Sequence, residues 1–295
     1  MIAESLRPLL ACTLEKPELL RLPAIASAKL DGIRCVITNG LPMSRNGKII
    51  PNRYIQSKLS DPKYEGLDGE LIVGPPSGAS VFNRTTSGVM SQDGEPDFTY
   101  WVFDNHLFPA APFESRVASL RQFTLPDYIT ILPHILITSL DQLARYEAMV
   151  LEQGFEGVMV RRPDGPYKNG RSTLNEGILL RIKRFKDSEA KIVGLEEGVA
   201  NLNEATKDAL GYTERSTHQA NMRKANRVGT IIGEDLHTGQ TIRISPGRMT
   251  QEQRARHWVF QSGCLTRVCK YRFFDYGVID QPRFATFQAF LDGQP

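Results

Sequence analysis

The stretch around Lys29 contains the residue types that could make a lysine nucleophilic. Lys29 is followed by Asp31, Gly32 and Arg34 at the mouth of an apolar run. A protonated amine cannot attack, and neighbouring cations destabilise an ammonium, so an arginine and a bound metal nearby favour the free amine. Gly32 lets a phosphate-bearing ligand approach the backbone closely. The alternative is an ordinary surface turn, because Asp-Gly is a common turn pair.

Further charged or aromatic segments follow in order along the chain, mostly at the ends of predicted strands. A turn at 44–47 and an Asp-Gly-Glu segment at 68–70 come first, and an aromatic strand at 98–104 follows. Segment 156–161 then begins with Glu156. Arg181 and Lys183 are two residues apart on a predicted strand, so they point to the same face of the sheet. Each segment alone could be a hairpin turn, core or an exposed charged face, but those readings do not explain the ordered set.

Taken together, these residue types fit nucleotidyl transfer. Attack by a lysine on an α-phosphate needs a metal that neutralises the phosphate oxygens. Carboxylates would hold that metal, because Mg²⁺ prefers hard oxygen ligands. Cationic side chains stabilise the charge that spreads in the transition state. An aromatic face gives a purine a surface for stacking.

With these segments in view, the chain resembles the ATP-dependent DNA ligases of the covalent nucleotidyltransferase superfamily, especially the small phage-type enzymes. The Lys29 and Glu156 motifs carry the resemblance to the superfamily, and segment 196–203 narrows it to the phage-type group. The resemblance implies an α+β fold. Residues 1–187 would form a nucleotidyltransferase (ATP-grasp-like) domain of antiparallel sheets and helices. Residues 188–295 would form a DNA-binding OB-fold β-barrel, with 184–190 as the hinge.

The resemblance also implies the chemistry. Lys29 would attack the α-phosphate of ATP to give a lysyl-AMP, and AMP would pass to the 5′-phosphate of a nick in duplex DNA. The 3′-hydroxyl would then displace AMP, as DNA replication, repair and recombination require. Mg²⁺ is the expected metal, with Mn²⁺ as a substitute. The implied residue roles are nucleotide binding by Ser27, Arg34, Glu70 and Phe98, metal binding by Glu156 and Asp68, catalysis by Arg181 and Lys183 beside Lys29, and binding of the nick 5′-phosphate by Arg45.

The sequence departs from the family pattern at two places. Arg181 stands where the family usually has a lysine, and its planar fork gives a different phosphate geometry. The C-terminal family motif is not evident. Arg283 is a weak candidate for orienting the pyrophosphate, and an ordinary surface arginine is an equal reading.

Residues 203–227 are polar, poor in apolar anchors and basic towards their end. A long structureless loop in a compact domain is usually functional or disordered. We expect a DNA-contacting loop rather than a merely flexible insertion, with contacts mainly to phosphates and therefore strongly dependent on salt. The cations expected to contact DNA are Arg215, Arg223, Lys224 and Arg227. The basic loop 164–171 would add contacts near the active site.

Composition excludes several other classes of protein. The 295 residues are 41% hydrophobic and 23% charged with a net charge of +3, which is ordinary for a soluble globular protein of two domains. No apolar run approaches the length of a membrane span. The four cysteines lack zinc-site spacing, which favours reduced thiols in a cytoplasm. We expect a monomer.

Alternative functions share part of this pattern. An mRNA-capping guanylyltransferase has the lysine motif but uses GTP, and an RNA ligase has the same chemistry. A non-catalytic nucleic-acid-binding protein on the same fold is disfavoured, because Lys29, Glu70, Glu156 and Lys183 are all present. An NAD⁺-dependent ligase is disfavoured, because residues 1–28 are too few for a further domain and the cysteines form no zinc finger.

Local patterns predict the main elements. Strands are expected at 33–38, 67–73, 98–104, 157–162, 177–183, 190–195, 229–232, 241–244 and 264–274. Helices are expected at 51–59, 113–123 and 139–154. The last of these begins with a capping box formed by Ser139 and Gln142 and ends at Gly154.

Overall fold

A computed structural model describes residues 7–78, 80–122, 124–182, 186–274 and 282–291. Contacts divide the chain into two compact units. The first unit consists of residues 1–183 and 207–213, and the second of 184–206 and 214–295. The division therefore falls before the expected boundary near 187, and the short segment 207–213 packs with the first unit rather than the second. Lys183 lies outside the described residues.

Within the described residues, the first unit contains two five-stranded sheets and four α-helices. One sheet has the order β1-β10-β9-β2-β8 and the other β4-β3-β5-β6-β7. Most pairs are antiparallel, while β1 with β10 and β6 with β7 are parallel. The strands are β1 (Cys12–Leu14), β2 (Ala24–Lys29), β3 (Ile33–Thr38), β4 (Leu41–Ser44), β5 (Leu67–Val73), β6 (Phe98–Asn105), β7 (Ile129–Ile131), β8 (Ile135–Ile137), β9 (Gly157–Arg161) and β10 (Leu179–Ile182). The helices are α1 (Arg53–Leu59), α2 (Val81–Met90), α3 (Phe113–Leu120) and α4 (Leu140–Glu152).

Strand register explains how distant sequence motifs meet. In the first sheet Lys29, at the end of β2, lies opposite Gly157 at the start of β9. In the second sheet Arg34 of β3 lies opposite Glu70 of β5. Antiparallel pairing therefore brings the lysine motif beside the Glu156 motif and the Arg34 position beside Glu70.

Side chains of strand β6 alternate between the two faces of the sheet, and one of these faces belongs to the core. Phe98, Tyr100 and Val102 are buried, while the residues between them are partly exposed. The Tyr100 hydroxyl donates to the carbonyls of Cys35 and Leu67, both at 3.0 Å, so its burial leaves no unpaired polar group.

The second unit contains the strands β11 (Lys186–Asn201), β14 (Met222–Asp235), β15 (Thr241–Ile244), β16 (Val268–Phe274) and β17 (Arg283–Phe290), with helix α5 (Gln251–Val259) between β15 and β16. The sheet order is β15-β14-β11-β16-β17. The edge strands are joined where Ser245 donates to Ala285 at 2.8 Å and Phe287 donates to Ser245 at 2.9 Å. Ile192, Ile231 and Ile244 lie in the buried centre. A closed five-stranded barrel with these features fits the expected OB-fold.

Residues 203–227 are not the structureless loop that their polarity predicts. They contain a hairpin of β12 (Ala205–Lys207) and β13 (Thr213–Arg215), and β14 already begins at Met222. All residues of β12 and β13 are exposed, so no apolar alternation marks these strands in the sequence.

Most local predictions agree with the structure. Strands β3 and β5 have the expected bounds, and α4 begins after Ser139, whose hydroxyl accepts from the Gln142 amide at 3.2 Å. The Gln142 side chain accepts instead from the Thr138 amide at 2.9 Å, so the expected capping box is only half formed. Helix α2 was not expected, because its sequence is rich in weak helix formers. No helix within the described ranges has the length and apolar character needed to cross a membrane.

Candidate active site

A cavity of about 260 Å³ in the first unit brings together six of the predicted site residues. Its lining includes Ser27, Lys29, Arg34, Arg45, Glu70 and Arg181. It also includes Arg171 of the basic loop 164–171, together with Phe103, Met159, Arg161 and Tyr212, which the sequence did not single out as site residues.

Lys29 and Glu156 form an ion pair at the mouth of this cavity. The Lys29 ammonium donates to the Glu156 carboxylate, and the Glu156 amide donates to the Lys29 carbonyl at 3.3 Å. Both side chains are about one quarter exposed or less, at 25% and 20%. Gly157 follows with φ +152°, a backbone conformation that favours glycine. The Glu-Gly pair therefore sets both the charge and the backbone path beside the lysine.

Glu70 faces the same cavity from β5. Burial raises its pKa to about 7, although the charges of Arg34 and Lys29 act in the opposite direction. The carboxyl group of Glu70 is therefore poised to change its ionisation near neutral pH.

Asp68, the other expected metal ligand, has a fully buried carboxylate that is already engaged by other side chains. Arg34 donates to one oxygen at 2.5 Å and to the other at 2.6 Å, and the Tyr167 hydroxyl donates at 2.7 Å. Asp68 has no exposed surface. Burial lowers the pKa of Arg34, but the charge and hydrogen bonds of Asp68 outweigh burial and raise that pKa above its usual value. Asp68 therefore holds Arg34 in place at the wall of the cavity.

The remaining carboxylates offer Mg²⁺ few protein ligands. The described residues contain no group of three or more His, Cys, Asp or Glu side chains placed to hold a metal ion. Mg²⁺ is commonly bound through one or two carboxylates together with substrate phosphates. Glu156, which lies partly exposed beside Lys29, fits that arrangement as a single carboxylate ligand.

Phe98 is a core residue and does not reach the cavity, contrary to the sequence-based expectation. It is 5% exposed and packs against Tyr54 and Tyr128, with ring centroids 6.2 and 5.8 Å away. Phe103 lines the cavity from the opposite face of the same strand. The alternation within 98–105 could have revealed this, since Phe98 shares its face with Tyr100 and Val102.

Arg181 is oriented by the neighbouring strand. Strand β1 runs parallel to β10 with Thr13 opposite Arg181, and the Arg181 guanidinium donates through Nε to the Thr13 hydroxyl at 2.8 Å. Arg181 also lines the cavity. Lys183, predicted to share its face, lies outside the described residues.

Arg171 joins Arg45 and Arg181 at the cavity wall, which Arg34 and Arg161 also line. It ends the basic loop 164–171 and donates to the Ala11 carbonyl. Tyr167 anchors this loop through its bond to Asp68. Arg45, Arg171 and Arg181 approach one cavity from separate segments, an arrangement suited to binding phosphate groups.

Segment 207–213 packs on the turn that carries Arg45. Leu210 is 3% exposed, and its carbonyl accepts from the Ser44 hydroxyl at 2.8 Å and from the Asn46 side chain at 3.2 Å. Tyr212, two residues further on, lines the cavity. Sequence reasoning missed this contact, because one leucine in a polar segment gives no periodic signal.

The four cations expected to contact DNA lie in the second unit. Arg223 and Lys224 are exposed on β14, and Lys224 lies 3.4 Å from Glu197. Arg215 is exposed on β13 and donates to the Asn203 carbonyl. Arg227 is only partly exposed, and its buried Nε has no hydrogen-bond partner within the described part of the chain. Arg283 begins β17.

Comparison with known proteins identifies the class to which this fold and cavity correspond. Residues 8–179, more than half of the chain, match the family model described as the ATP dependent DNA ligase domain. The chain therefore belongs to the ATP-dependent DNA ligase family.

Individual relatives agree with this assignment. The chain is 28% identical over 178 residues to a DNA ligase of Haemophilus influenzae, which covers 59% of this chain and 63% of that protein. It is 25% identical over 183 residues to the SPbeta prophage-derived DNA ligase-like protein LigB of Bacillus subtilis, covering 58% and 64%. The matches thus span less than two thirds of these relatives.

Solved structures extend the likeness over the whole chain. The Chlorella virus DNA ligase-adenylate is 31% identical, with a TM-score of 0.57 over 99% of this chain and 100% of that chain. A Lig E DNA ligase structure has a TM-score of 0.67 at 22% identity, covering 98% and 100%, which is a likeness of fold alone.

Proposed function

We propose that this chain is an ATP-dependent DNA ligase that seals nicks with a 5′-phosphate and a 3′-hydroxyl in duplex DNA. The observation that carries the proposal is a lysine, Lys29, paired with Glu156 at a cavity lined by five arginines. Family membership over residues 8–179 supports the choice of ATP and DNA.

In the first step Lys29 acts as the nucleophile. The Lys29 ammonium releases a proton to solvent to become a free amine. Its nitrogen then bonds to the α-phosphorus of ATP and releases a second proton to solvent, while the bond to pyrophosphate breaks and pyrophosphate leaves. Arg181, and Lys183 by resemblance, supply positive charge to the phosphate oxygens as this bond changes. Glu156 would hold Mg²⁺, which supplies further neutralisation of the phosphates.

The nucleoside is held by groups on the other side of the cavity. Glu70 accepts a hydrogen bond from a ribose hydroxyl when it is ionised. Phe103 takes the stacking role expected of Phe98, because Phe103 reaches the cavity. Ser27 is placed to contact the adenine edge.

In the later steps AMP moves from Lys29 to the 5′-phosphate of the nick, and the 3′-hydroxyl displaces AMP as the phosphodiester forms. Arg45, with Arg171, binds that 5′-phosphate. Arg215, Arg223, Lys224 and Arg227 contact the phosphates of the duplex. We expect a monomer that works in a cytoplasm.

Covalent labelling tests this proposal. With Mg²⁺ and ATP labelled at the α-phosphate, label should attach to the chain, survive denaturation and be absent in Lys29→Ala. Stronger labelling by GTP would favour an mRNA-capping enzyme, and no label from either nucleotide would indicate a non-catalytic nucleic-acid-binding protein. Sealing of nicked RNA in preference to nicked DNA would favour an RNA ligase.

A further inference from the structure

A buried network of charges lies behind the part of the cavity that Phe103 lines. At its centre is Asp104, which is 0% exposed. Arg116 donates to both oxygens of this carboxylate, at 2.8 and 3.3 Å, and the Asn105 amide adds a bond of 2.8 Å. Arg116 also donates to the Gly165 carbonyl at 3.0 Å. Asp104 is thus already neutralised and hydrogen-bonded by Arg116 and its own strand.

Arg161 joins this network from β9 and also lines the cavity. It is 5% exposed, and Nη1 donates to Asp104 at 2.6 Å. Its guanidinium carbon lies 4.5 Å from the ring centroid of Phe113 and 5.5 Å from that of Phe103. Arg161 therefore connects a buried carboxylate to the aromatic side chain that faces the nucleotide cavity.

Stability alone does not explain a second guanidinium on Asp104. The desolvation of a buried ion costs much of the free energy that its ion pair contributes. A protein with an apolar residue of similar volume at that position is therefore often equally stable. Burial lowers the pKa of Arg161, although Asp104 opposes this effect. At the cavity wall the Arg161 guanidinium lies beside the Phe103 ring. A cation can hold that ring through its electrons, and an apolar side chain cannot.

The ring of Phe103 is held by cations. The Arg34 guanidinium lies 4.6 Å from its centroid and Arg161 lies 5.5 Å away. A guanidinium near an aromatic ring interacts favourably with the ring electrons and restricts its orientation. Each of these two arginines is itself fixed by a buried carboxylate, Asp68 for Arg34 and Asp104 for Arg161.

We propose that Arg161 is a positioning residue for nucleotide binding: the Asp104–Arg116 pair holds its guanidinium, which fixes the Phe103 ring against which the purine base of ATP stacks. This inference rests on the function proposed above. Arg161 acts on the base through Phe103 and takes no part in the bond changes at Lys29.

A double-mutant cycle on self-adenylylation tests the inference. In Arg161→Met, the ATP concentration that gives half-maximal labelling should rise roughly tenfold, while the rate at saturating ATP stays within about threefold. In a Phe103→Leu background, the same substitution should change the half-saturating concentration less than about twofold, because its effect is transmitted through the missing ring. The matched control is Arg162→Met, whose guanidinium pairs with Asp164 at 2.7 Å and lies outside the cavity lining.

The outcomes are separable. An equal effect of Arg161→Met in both backgrounds, or a fall in the saturating rate with no change in half-saturation, overturns the inference while leaving the proposed function in place. Absence of label on the unsubstituted chain overturns the proposed function and this inference with it. Since Asp104 keeps Arg116, Arg161→Met should fold, which thermal unfolding checks. If it does not fold, Arg161→Lys serves in the same cycle, since an ammonium lacks the planar fork that bridges the carboxylate and the ring.

Discussion

The Lys29 ammonium and the Glu156 carboxylate contact each other directly, and the Glu156 amide donates to the Lys29 carbonyl at 3.3 Å. The two residues are brought together because β2 and β9 are antiparallel neighbours with Lys29 opposite Gly157. An amine paired in this way is held in position at the cavity that Lys29 lines.

The first prediction concerns this pair. Glu156→Gln removes the charge that orients Lys29 and the carboxylate that would bind Mg²⁺, so self-adenylylation should slow at least about 100-fold. The measurement is the initial rate of labelling by α-labelled ATP at saturating Mg²⁺. Glu152→Gln, on the exposed end of α4, is the matched control and should label normally. Normal labelling by Glu156→Gln would show that the pair is incidental to the chemistry.

The second prediction separates a structural from a metal-binding role for Asp68. Asp68→Asn should lower the free energy of unfolding by about 3 kcal/mol, because Arg34 would lose a buried ionic partner. Urea denaturation measures the change. In the matched control, Asp93→Asn should change it by less than about 0.5 kcal/mol, because the Asp93–Arg53 pair is 81% and 72% exposed. An unchanged free energy of unfolding for Asp68→Asn, combined with a higher Mg²⁺ requirement for labelling, would indicate that Asp68 binds the metal.

The third prediction contrasts the two phenylalanines of β6. Phe98→Ala removes a buried core ring and should cost about 3–5 kcal/mol of unfolding free energy. Phe103→Ala should cost less stability but raise the half-saturating ATP concentration about tenfold, because base stacking is lost. Urea denaturation and labelling by α-labelled ATP, measured on both variants, show which phenylalanine supports the core and which supports nucleotide binding. If Phe98→Ala raised the ATP requirement and Phe103→Ala did not, the stacking assignment would be reversed.

The lysine motif and Glu156 could be predicted from the sequence because their chemistry is local. Lys29 and Glu156 each lie next to a strand whose apolar residues are evident in the sequence. A lysine and a carboxylate are also residue types that indicate nucleotidyl transfer. The sequence prediction placed Phe98 at the cavity, whereas Phe103 is the phenylalanine that lines it. Both rings lie on one strand, and the alternation that places Phe98 on the same face as Tyr100 and Val102 was the available signal.

Long-range contacts were beyond sequence reasoning for a further reason. The carboxylate of Asp68 meets Arg34 and Tyr167, which lie on separate segments, and nothing local to any of them signals the others. Leu210 is similar, since its burial depends on a turn far earlier in the chain. In both cases the partner is set by tertiary packing rather than by spacing.

The fourth prediction uses the pKa of Glu70, which burial raises from 4.5 to about 7. The folded state therefore keeps the proton at pH values where the unfolded state has lost it, so the destabilising effect of Glu70 appears as pH rises from 4.5 and is complete above 7. Glu70→Gln lacks this titration. The free energy of unfolding of Glu70→Gln minus that of the unsubstituted chain should therefore increase by about 2 kcal/mol between pH 5 and pH 8. This is less than the full pKa shift implies, because the cavity is open to water.

Denaturation at the two pH values measures this difference. The exposed Glu95→Gln is the control and should show no such increase. A stability difference for Glu70→Gln that is independent of pH would mean that the carboxyl group ionises in the folded state as it does in the unfolded chain.

The fifth prediction concerns Arg223 and Lys224, exposed neighbours on β14. Replacing both by Ala should weaken binding to nicked duplex DNA while leaving self-adenylylation nearly intact, because neither residue lines the nucleotide cavity. Each phosphate contact that is lost should also reduce the slope of log K against log salt by about 0.9. The control replaces Arg248 and Arg256, two exposed arginines of the same unit, and so removes the same charge. Equal losses of affinity and slope in both double variants would show that net charge, and not the position of these two cations, determines DNA binding.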